Sequence, residues 1–204
     1  SLNNNYKIDP KHNIAFGLEK EFEEMRYAMD ENADEDFRKG EDVTSQYFDL
    51  QSKLTENLYS TIGVRFDQHT QDLNEDSERV SLAYFSNALA ATFKPSYGTG
   101  IKFPSLYEYY KSANPSSLVA EKGRSFDFGV HKNFVDKGLD VDLTFFNHKY
   151  EDTIEGWKSA SWTPKNRPGV VRTRGLELLS KFKPKKDLNF GLGYGNITST
   201  LRWN

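Results

Sequence analysis

Ile14-Ala15-Phe16-Gly17-Leu18-Glu19-Lys20-Glu21-Phe22-Glu23 reads in steps of two: Ile14, Phe16, Leu18 and Phe22 fall on one side of an extended chain, and Ala15, Gly17, Glu19, Glu21 and Glu23 on the other. Successive side chains of a strand point to opposite faces, so this run makes one apolar face and one acidic face. The period recurs outward from it. Phe48 and Leu50 stand against Tyr47, Asp49 and Gln51, and Leu58, Ile62, Val64 and Phe66 stand against Tyr59, Thr61, Gly63, Arg65 and Asp67. Later runs carry Val80, Leu82 and Tyr84; Ala91, Phe93 and Tyr97; Phe126, Phe128, Val130 and Phe134; Leu139, Val141, Leu143 and Phe145; Leu176, Leu178 and Phe182; and Leu188, Phe190, Leu192 and Tyr194. The pattern predicts an all-β chain of about nine long strands, with no sustained helical period.

The connections sort themselves. Short ones near 7–11, 53–56, 86–89, 135–138 and 183–187 alternate with longer ones near 27–42, 70–77, 104–123 and 152–167. In an antiparallel up-and-down meander, that alternation collects every short turn at one rim and every long loop at the other. Transmembrane β-barrels of the outer membrane are built this way, whereas a soluble sandwich has no reason to sort its loops. Several runs exceed the roughly 9–11 residues that cross a bilayer at a tilt. Glu19, Glu21, Glu23, Arg65, Asp67, Asp140, Asp142 and Glu177 crowd the polar face, which a packed core could not bury unpaired and a wet lumen can hold.

Composition agrees. Only 36% of the 204 residues are hydrophobic, although 15 Phe, 11 Tyr and 3 Trp are present. A sheet whose apolar face meets lipid needs no thick aliphatic core. No uncharged apolar run approaches the roughly 18 residues of a membrane helix. A net charge of −3 gives no overall attraction to nucleic acid, and the absence of cysteine excludes disulfide frameworks, zinc–thiolate sites and thiol nucleophiles. Single-chain bacterial barrels have even strand numbers, so about nine strands predict a segment, residues 1–204 forming part of a large barrel.

Ser96-Tyr97-Gly98-Thr99-Gly100-Ile101-Lys102-Phe103-Pro104-Ser105-Leu106-Tyr107-Glu108 resembles a stretch of TonB-dependent outer-membrane receptors near the top of a mid-barrel strand. Asn114-Pro115, Leu118 and Glu121-Lys122 resemble the loop that follows in that family. Phe126-Asp127-Phe128-Gly129 is similar to its descending strand, Arg172-Thr173-Arg174-Gly175-Leu176-Glu177-Leu178 to a later one, and Gly63-Val64-Arg65-Phe66-Asp67 to an earlier one. The ordered set covers most of residues 57 to 200, with a flavour closest to vitamin B12 and siderophore receptors. Ala120 replaces a family proline, and Pro95, inside a strand, predicts a bulge. The resemblance implies a receptor in the bacterial outer membrane that imports a ferric siderophore or cobalamin. Its partners would be outer-membrane lipid and the TonB complex, acting through a plug domain that has no counterpart in these residues.

Candidate ligand-binding residues cluster on the two largest outer loops. Tyr107, Tyr109, Tyr110, Trp157 and Trp162 offer aromatic faces to a siderophore or corrin ring, and Arg124, Lys158 and Arg167 offer positive charge to an anion. The plainer reading of the aromatic residues is an interfacial belt or loop packing. Asp30, Glu31, Asp34, Glu35 and Asp36 form an acidic run whose oxygens suit calcium, but it lacks the glycine and terminal glutamate of a twelve-residue calcium loop, and its plainer reading is a solvated, self-repelling loop. His12, His69, His131 and His148 show no metal-ligand spacing. No catalytic group is expected. The competing interpretation is a soluble all-β carbohydrate-binding module, in which a second sheet covers the apolar face and loop aromatics stack on sugars.

Overall fold

The computed structural model describes residues 1–27, 37–71, 73–155 and 163–202. Its strands are β1 (Leu2–Lys7), β2 (His12–Tyr27), β3 (Phe37–Thr55), β4 (Leu58–His69), β5 (Asn74–Ser86), β6 (Ala91–Lys102), β7 (Glu121–Phe134), β8 (Leu139–Glu151), β9 (Val170–Lys185) and β10 (Leu188–Arg202). They form one sheet in chain order, each antiparallel to the next, with β1 and β10 as its edges. A six-residue helix, α1 (Leu106–Lys111), and two 3₁₀ turns complete the described elements. No helix among the described residues is long and apolar enough to cross a membrane.

The up-and-down meander is as expected, with ten strands rather than nine. The extra one is β1, whose Leu2-Asn3-Asn4-Asn5-Tyr6-Lys7 hides its period behind three asparagines. β2 supplies its ladder from Leu2↔Leu18 to Lys7↔Asn13. Tyr47 adds a tie on the polar face, crossing Gly17 so that its hydroxyl donates to Asn3 Oδ1 at 2.7 Å. A Cβ on Gly17 would lie 2.7 Å from that ring.

Cross-strand register turns the alternation into two continuous faces. Leu58, Tyr84, Phe93, Val130, Leu143, Leu178 and Tyr194 are successive partners across seven strands. Phe16, Phe48 and Val64 align likewise across β2, β3 and β4. These apolar residues lie open: Tyr194 is 55% and Leu143 38% exposed. The buried apolar set among the described residues is small: Ala91, Leu106, Tyr109, Leu118, Ala120 and Phe146. Four of these six belong to the β6–β7 connection. No second sheet covers the apolar face among the described residues, so the carbohydrate-module interpretation lacks the layer it requires.

Two connections and one strand differ from expectation: β3 already pairs with β2 from Tyr27↔Phe37 to Phe22↔Asp42, inside the span expected as the connection near 27–42. The connection at 70–77 shrinks to residues 70–73, because Asn74-Glu75-Asp76-Ser77 already pairs with β4 through Gln68↔Asn74 and Asp67↔Glu75. A polar sequence continues a ladder wherever the strand projects into water. Pro95 produces no bulge either. β5 and β6 hold one register from Arg79↔Gly98 to Ser86↔Ala91, only the pairs beside Pro95 dropping out. On its other side, Pro95↔Phe128 lies within an unbroken ladder. The missing N–H therefore faces the β5 gap, which avoids the cost of a shifted strand.

The short turns are individually built. Asp9 Oδ1 accepts the N–H groups of Lys11 at 2.7 Å and His12 at 2.8 Å, and the Lys11 bond above all holds its carboxyl below the usual carboxylate range. At the β7–β8 turn Gly138 adopts φ +59°, and a Cβ there would strike the Lys183 carbonyl oxygen. At the β5–β6 turn Ala90 sits at φ +46°, a left-handed conformation that costs an L-residue about 1–2 kcal/mol. Opposite signs follow. Gly138→Ala should destabilise by about 1–3 kcal/mol and Ala90→Gly should stabilise by up to about 1 kcal/mol, read as shifts of the urea unfolding midpoint of the full-length protein in lipid.

Candidate functional site

The polar face is held by interlocked charges. Arg65 donates from Nη1 to Glu19 at 3.0 Å, from Nε to Asp67 at 2.9 Å and from Nη2 to Ser45 Oγ at 2.8 Å, and Ser45 in turn donates to Asp67 at 2.5 Å. Arg79 reaches Asp49 at 2.8 Å, and Lys94 reaches Asp142 at 3.3 Å. Strand register makes this possible, since Ser45↔Asp67, Tyr47↔Arg65 and Asp49↔Gly63 are partners across β3 and β4. Partly exposed pairs of this kind contribute little each, about 0.2–1 kcal/mol. Their chief effect is to present donors and acceptors at fixed positions with little net charge.

Above this network, toward the long-loop end, the polar face opens into a concavity of about 380 Å³ whose lining includes Gly98, Thr99, Gly100, Lys102, Glu121, Gly123, Arg124, Ser125 and Tyr150. A Cβ on Gly100 would meet nothing within 4 Å, and one on Gly123 would lie 3.4 Å from the Tyr150 ring. The glycines thus leave a bare backbone floor beside an aromatic wall. Lys102 Nζ binds Glu121 at 2.7 Å and lies 3.9 Å from Glu108, so the edge of the floor carries an ammonium among carboxylates. A second concavity of about 370 Å³, lined by Tyr47, Arg65 and Arg79 among others, shares Thr99 with it.

The β6–β7 connection folds over the sheet beside this floor. Ser105 caps α1 by accepting from Glu108 N, while the Glu108 carboxylate accepts from Ser105 N, a reciprocal capping box. A helix of six residues has too few internal bonds to stand alone. It is held by burying Leu106 and Tyr109, with the His69 ring 4.8 Å from Phe103 and 6.5 Å from Tyr109 between centroids. His69 Nδ1 accepts from Gln71 N at 3.1 Å. The ring proton must then sit on Nε2, facing Glu41 Oε2 at 3.4 Å. Both residues are nearly inaccessible, His69 at 4% and Glu41 at 5%. Glu41 lies beyond the Lys20–Asp42 ion pair on the opposite face, in the part of β3 that rises above the apolar rows. Burial there raises the Glu41 carboxyl above its ordinary value, His69 opposing, and burial likewise raises the Tyr109 hydroxyl.

Asn166 joins the two long loops. Its amide donates to Val119 O at 2.9 Å and Asp152 O at 2.5 Å, and its Oδ1 accepts from Val119 N at 2.9 Å. Ser112 adds a bond to Pro164 O at 3.1 Å.

The residues expected at the site separate. Tyr109 is buried as loop packing, Tyr107 is half-buried, and Tyr110 is exposed with Lys111 Nζ 5.3 Å from its ring centroid. Arg167 pairs with Glu155 inside the β8–β9 connection. Arg124 belongs to β7 rather than to a loop; its side chain has the parity of Phe126 and Phe128 on the apolar face, while the residue also contributes to the lining of the concavity. Trp157, Lys158 and Trp162, and the acidic run Asp30, Glu31, Asp34, Glu35 and Asp36, lie outside the described residues. Tyr150, the glycine floor and Asn166 were not anticipated, although the spacing of Gly98 and Gly100 by two already puts both on one face.

Toward the short-turn end, His131 Nδ1 lies 3.2 Å from Asp142 and Nε2 3.6 Å from Asp140. This is a three-residue donor set that sequence spacing concealed and the register His131↔Asp142 creates. Both ring nitrogens face carboxylates and Lys94 shares Asp142, so the cluster ties β6, β7 and β8 together.

Residues 2–203 match the family model described as TonB dependent receptor-like, beta-barrel. The fold is similar to that of a mutant ferric enterobactin receptor of Pseudomonas aeruginosa (PfeA) in complex with enterobactin, with a TM-score of 0.79 and 17% identity over 96% of this chain and 35% of that one. It is similar also to the siderophore receptor PirA of Pseudomonas aeruginosa (TM-score 0.76, 14% identity, 97% of this chain and 41% of that one). The copper transporter OprC gives a TM-score of 0.70 at 18% identity, over 92% of this chain and 35% of that one. This chain therefore spans between about a third and two fifths of the length of these proteins, and no curated protein matches it.

Proposed function

The chain belongs to the TonB-dependent receptor β-barrel family, and from that premise we propose that it forms part of the wall of an outer-membrane receptor importing a ferric siderophore or a related metal-bearing ligand, cobalamin being the alternative cargo. The observation that carries this reading is the register of the apolar face, continuous from β4 to β10 and uncovered by protein among the described residues. Lipid is the cover that such a face fits. The opposite, charged face then lines an aqueous lumen, and β1 and β10 pair with further strands, since hydrocarbon offers no partner to unpaired backbone groups. The import step is energised by the TonB complex acting on a plug within the lumen, and no bond in the cargo is made or broken by the wall.

Within this reading the glycine floor and Tyr150 form one side of the ligand vestibule. A bare backbone beside a ring admits a flat, aromatic chelate closely, and Lys102 and Arg79 supply donors to its oxygens. The siderophore and copper cargoes in the names of the similar structures support a metal-bearing ligand. The test is growth of a strain lacking the gene on single iron or cobalamin sources, complemented by the full-length gene or its Tyr150→Ala variant. The expected outcome is loss of use of one source on deletion, restored by the wild type, with roughly tenfold weaker binding by Tyr150→Ala, on the order of 1–2 kcal/mol for one aromatic contact. Unchanged use of every source, or a full-length protein absent from the outer membrane, would refute the proposal.

A further inference from the structure

At the long-loop end, the outward face changes character between its two halves. Thr99, Arg124, Lys149, Arg172 and Thr200 are successive partners across β6 to β10, so three adjacent strands present three cations in one row. At the strand spacing of about 4.8 Å that row is roughly 10 Å long. The row beneath it reads Tyr97, Phe126, Asn147 and Arg174, and apolar partners follow below. The cations thus stand where the apolar rows end. Lys149 pairs with Glu151 at 2.9 Å, and Arg124 also attracts that carboxylate, whereas Arg172 and Arg174 enter no ion pair among the described residues. On the other half of the same face, β5 carries Glu78 opposite Val64 and Asp76 opposite Phe66, and farther along Lys20 binds Asp42 at 2.6 Å. Charge along this rim is therefore segregated, unlike the balanced lumen face.

Arginine forks bind phosphate oxygens in pairs, and unneutralised cations at the edge of an apolar band attract anionic headgroups. We propose that Arg124, Lys149 and Arg172, with Arg174 beneath, bind the phosphates of an anionic outer-leaflet lipid whose headgroup carries two of them. A headgroup with two phosphates suits a row of this length better than a single phosphate, which would engage only one or two of the side chains. This inference rests on the membrane orientation argued above, and it gives Arg124 an anion on the lipid side of the wall rather than in the vestibule.

The test uses the full-length receptor purified from outer membranes in mild detergent, with bound diphosphorylated glucosamine lipid (lipid A) counted by native mass spectrometry. The combined Arg124→Ala, Lys149→Ala and Arg172→Ala variant should retain at least fivefold less than wild type, and Arg124→Ala or Arg172→Ala alone about twofold less. The combined Arg124→Lys and Arg172→Lys variant should retain most of it, and Asp76→Asn with Glu78→Gln should lose none. Unchanged lipid in the single and combined alanine variants, or equal retention of the dephosphorylated lipid, overturns the proposal. Absence of the wild-type receptor from the outer membrane would instead sink the functional reading beneath it.

Discussion

Replacing Leu143 by arginine should destabilise the folded receptor by about 2–4 kcal/mol, the depth-dependent cost of a cation near the middle of the hydrocarbon. Thr144→Arg, one residue along, should cost less than about 1 kcal/mol. The difference follows from parity alone. Leu143 lies between Val130 and Leu178 in the ladder, inside the uncovered apolar rows. Thr144 lies between Gly129 and Glu177, where a new guanidinium meets open space on one side and a carboxylate on the other. Urea titrations of the full-length protein refolded into phospholipid bilayers would measure both. Equal costs, or a larger cost at Thr144, would mean that the faces have been assigned the wrong way round, and with them the lumen, the vestibule and the lipid-phosphate row.

Parity is also what the sequence displayed most clearly. A period of two survives any error in strand ends, so Phe16, Val64, Leu143 and Leu178 fall on one face whether a strand has ten residues or nineteen. Turn placement was legible for a related reason: glycine at Gly138 and the Asp9-Pro10 pair are local signals of local geometry. What failed were features whose cause lies elsewhere in the chain. β1 is a strand because β2 offers it an edge and Tyr47 reaches across Gly17 to Asn3, and nothing in three successive asparagines announces that. The polar start of β5 looked like a loop because strand and loop residues alike are hydrophilic once the sheet leaves the membrane. His69 and Glu41 are 28 positions apart and meet only through the β3–β4 register, in which Val43 partners His69. Helix α1 spans too little chain to show a period, though Ser105 and Glu108 stand at the capping-box spacing. Chemical type marks a candidate ligand residue in a sequence, and type cannot tell a tyrosine that meets solvent, such as Tyr110, from one that fastens a loop, such as Tyr109.

That distinction has its own test. Tyr109→Ala should release the β6–β7 connection from the wall, because truncating a buried aromatic costs about 3–5 kcal/mol and leaves Leu106 as the one buried side chain of a six-residue helix. Hydrogen exchange across residues 103–120 should then lose about a hundredfold or more of its protection, while the ladders of β7 and β8 keep theirs. The loop's docking should also depend on pH through Glu41, which His69 faces from β4 and whose proton affinity Glu23 on β2 and, above all, burial increase. A carboxyl raised in the docked state binds a proton on docking between its ordinary value and its raised one. Docking should accordingly strengthen as pH falls through that window and weaken as pH rises through it. Glu41→Gln keeps the shape and removes the titration, so its exchange profile should be flat across the same range. A wild-type profile as flat as that of the variant would mean that Glu41 is not what couples the loop to pH. Protection unchanged in Tyr109→Ala would return Tyr109 to the vestibule as a ligand contact, because a ring that holds nothing in place has no other reason to lie against His69.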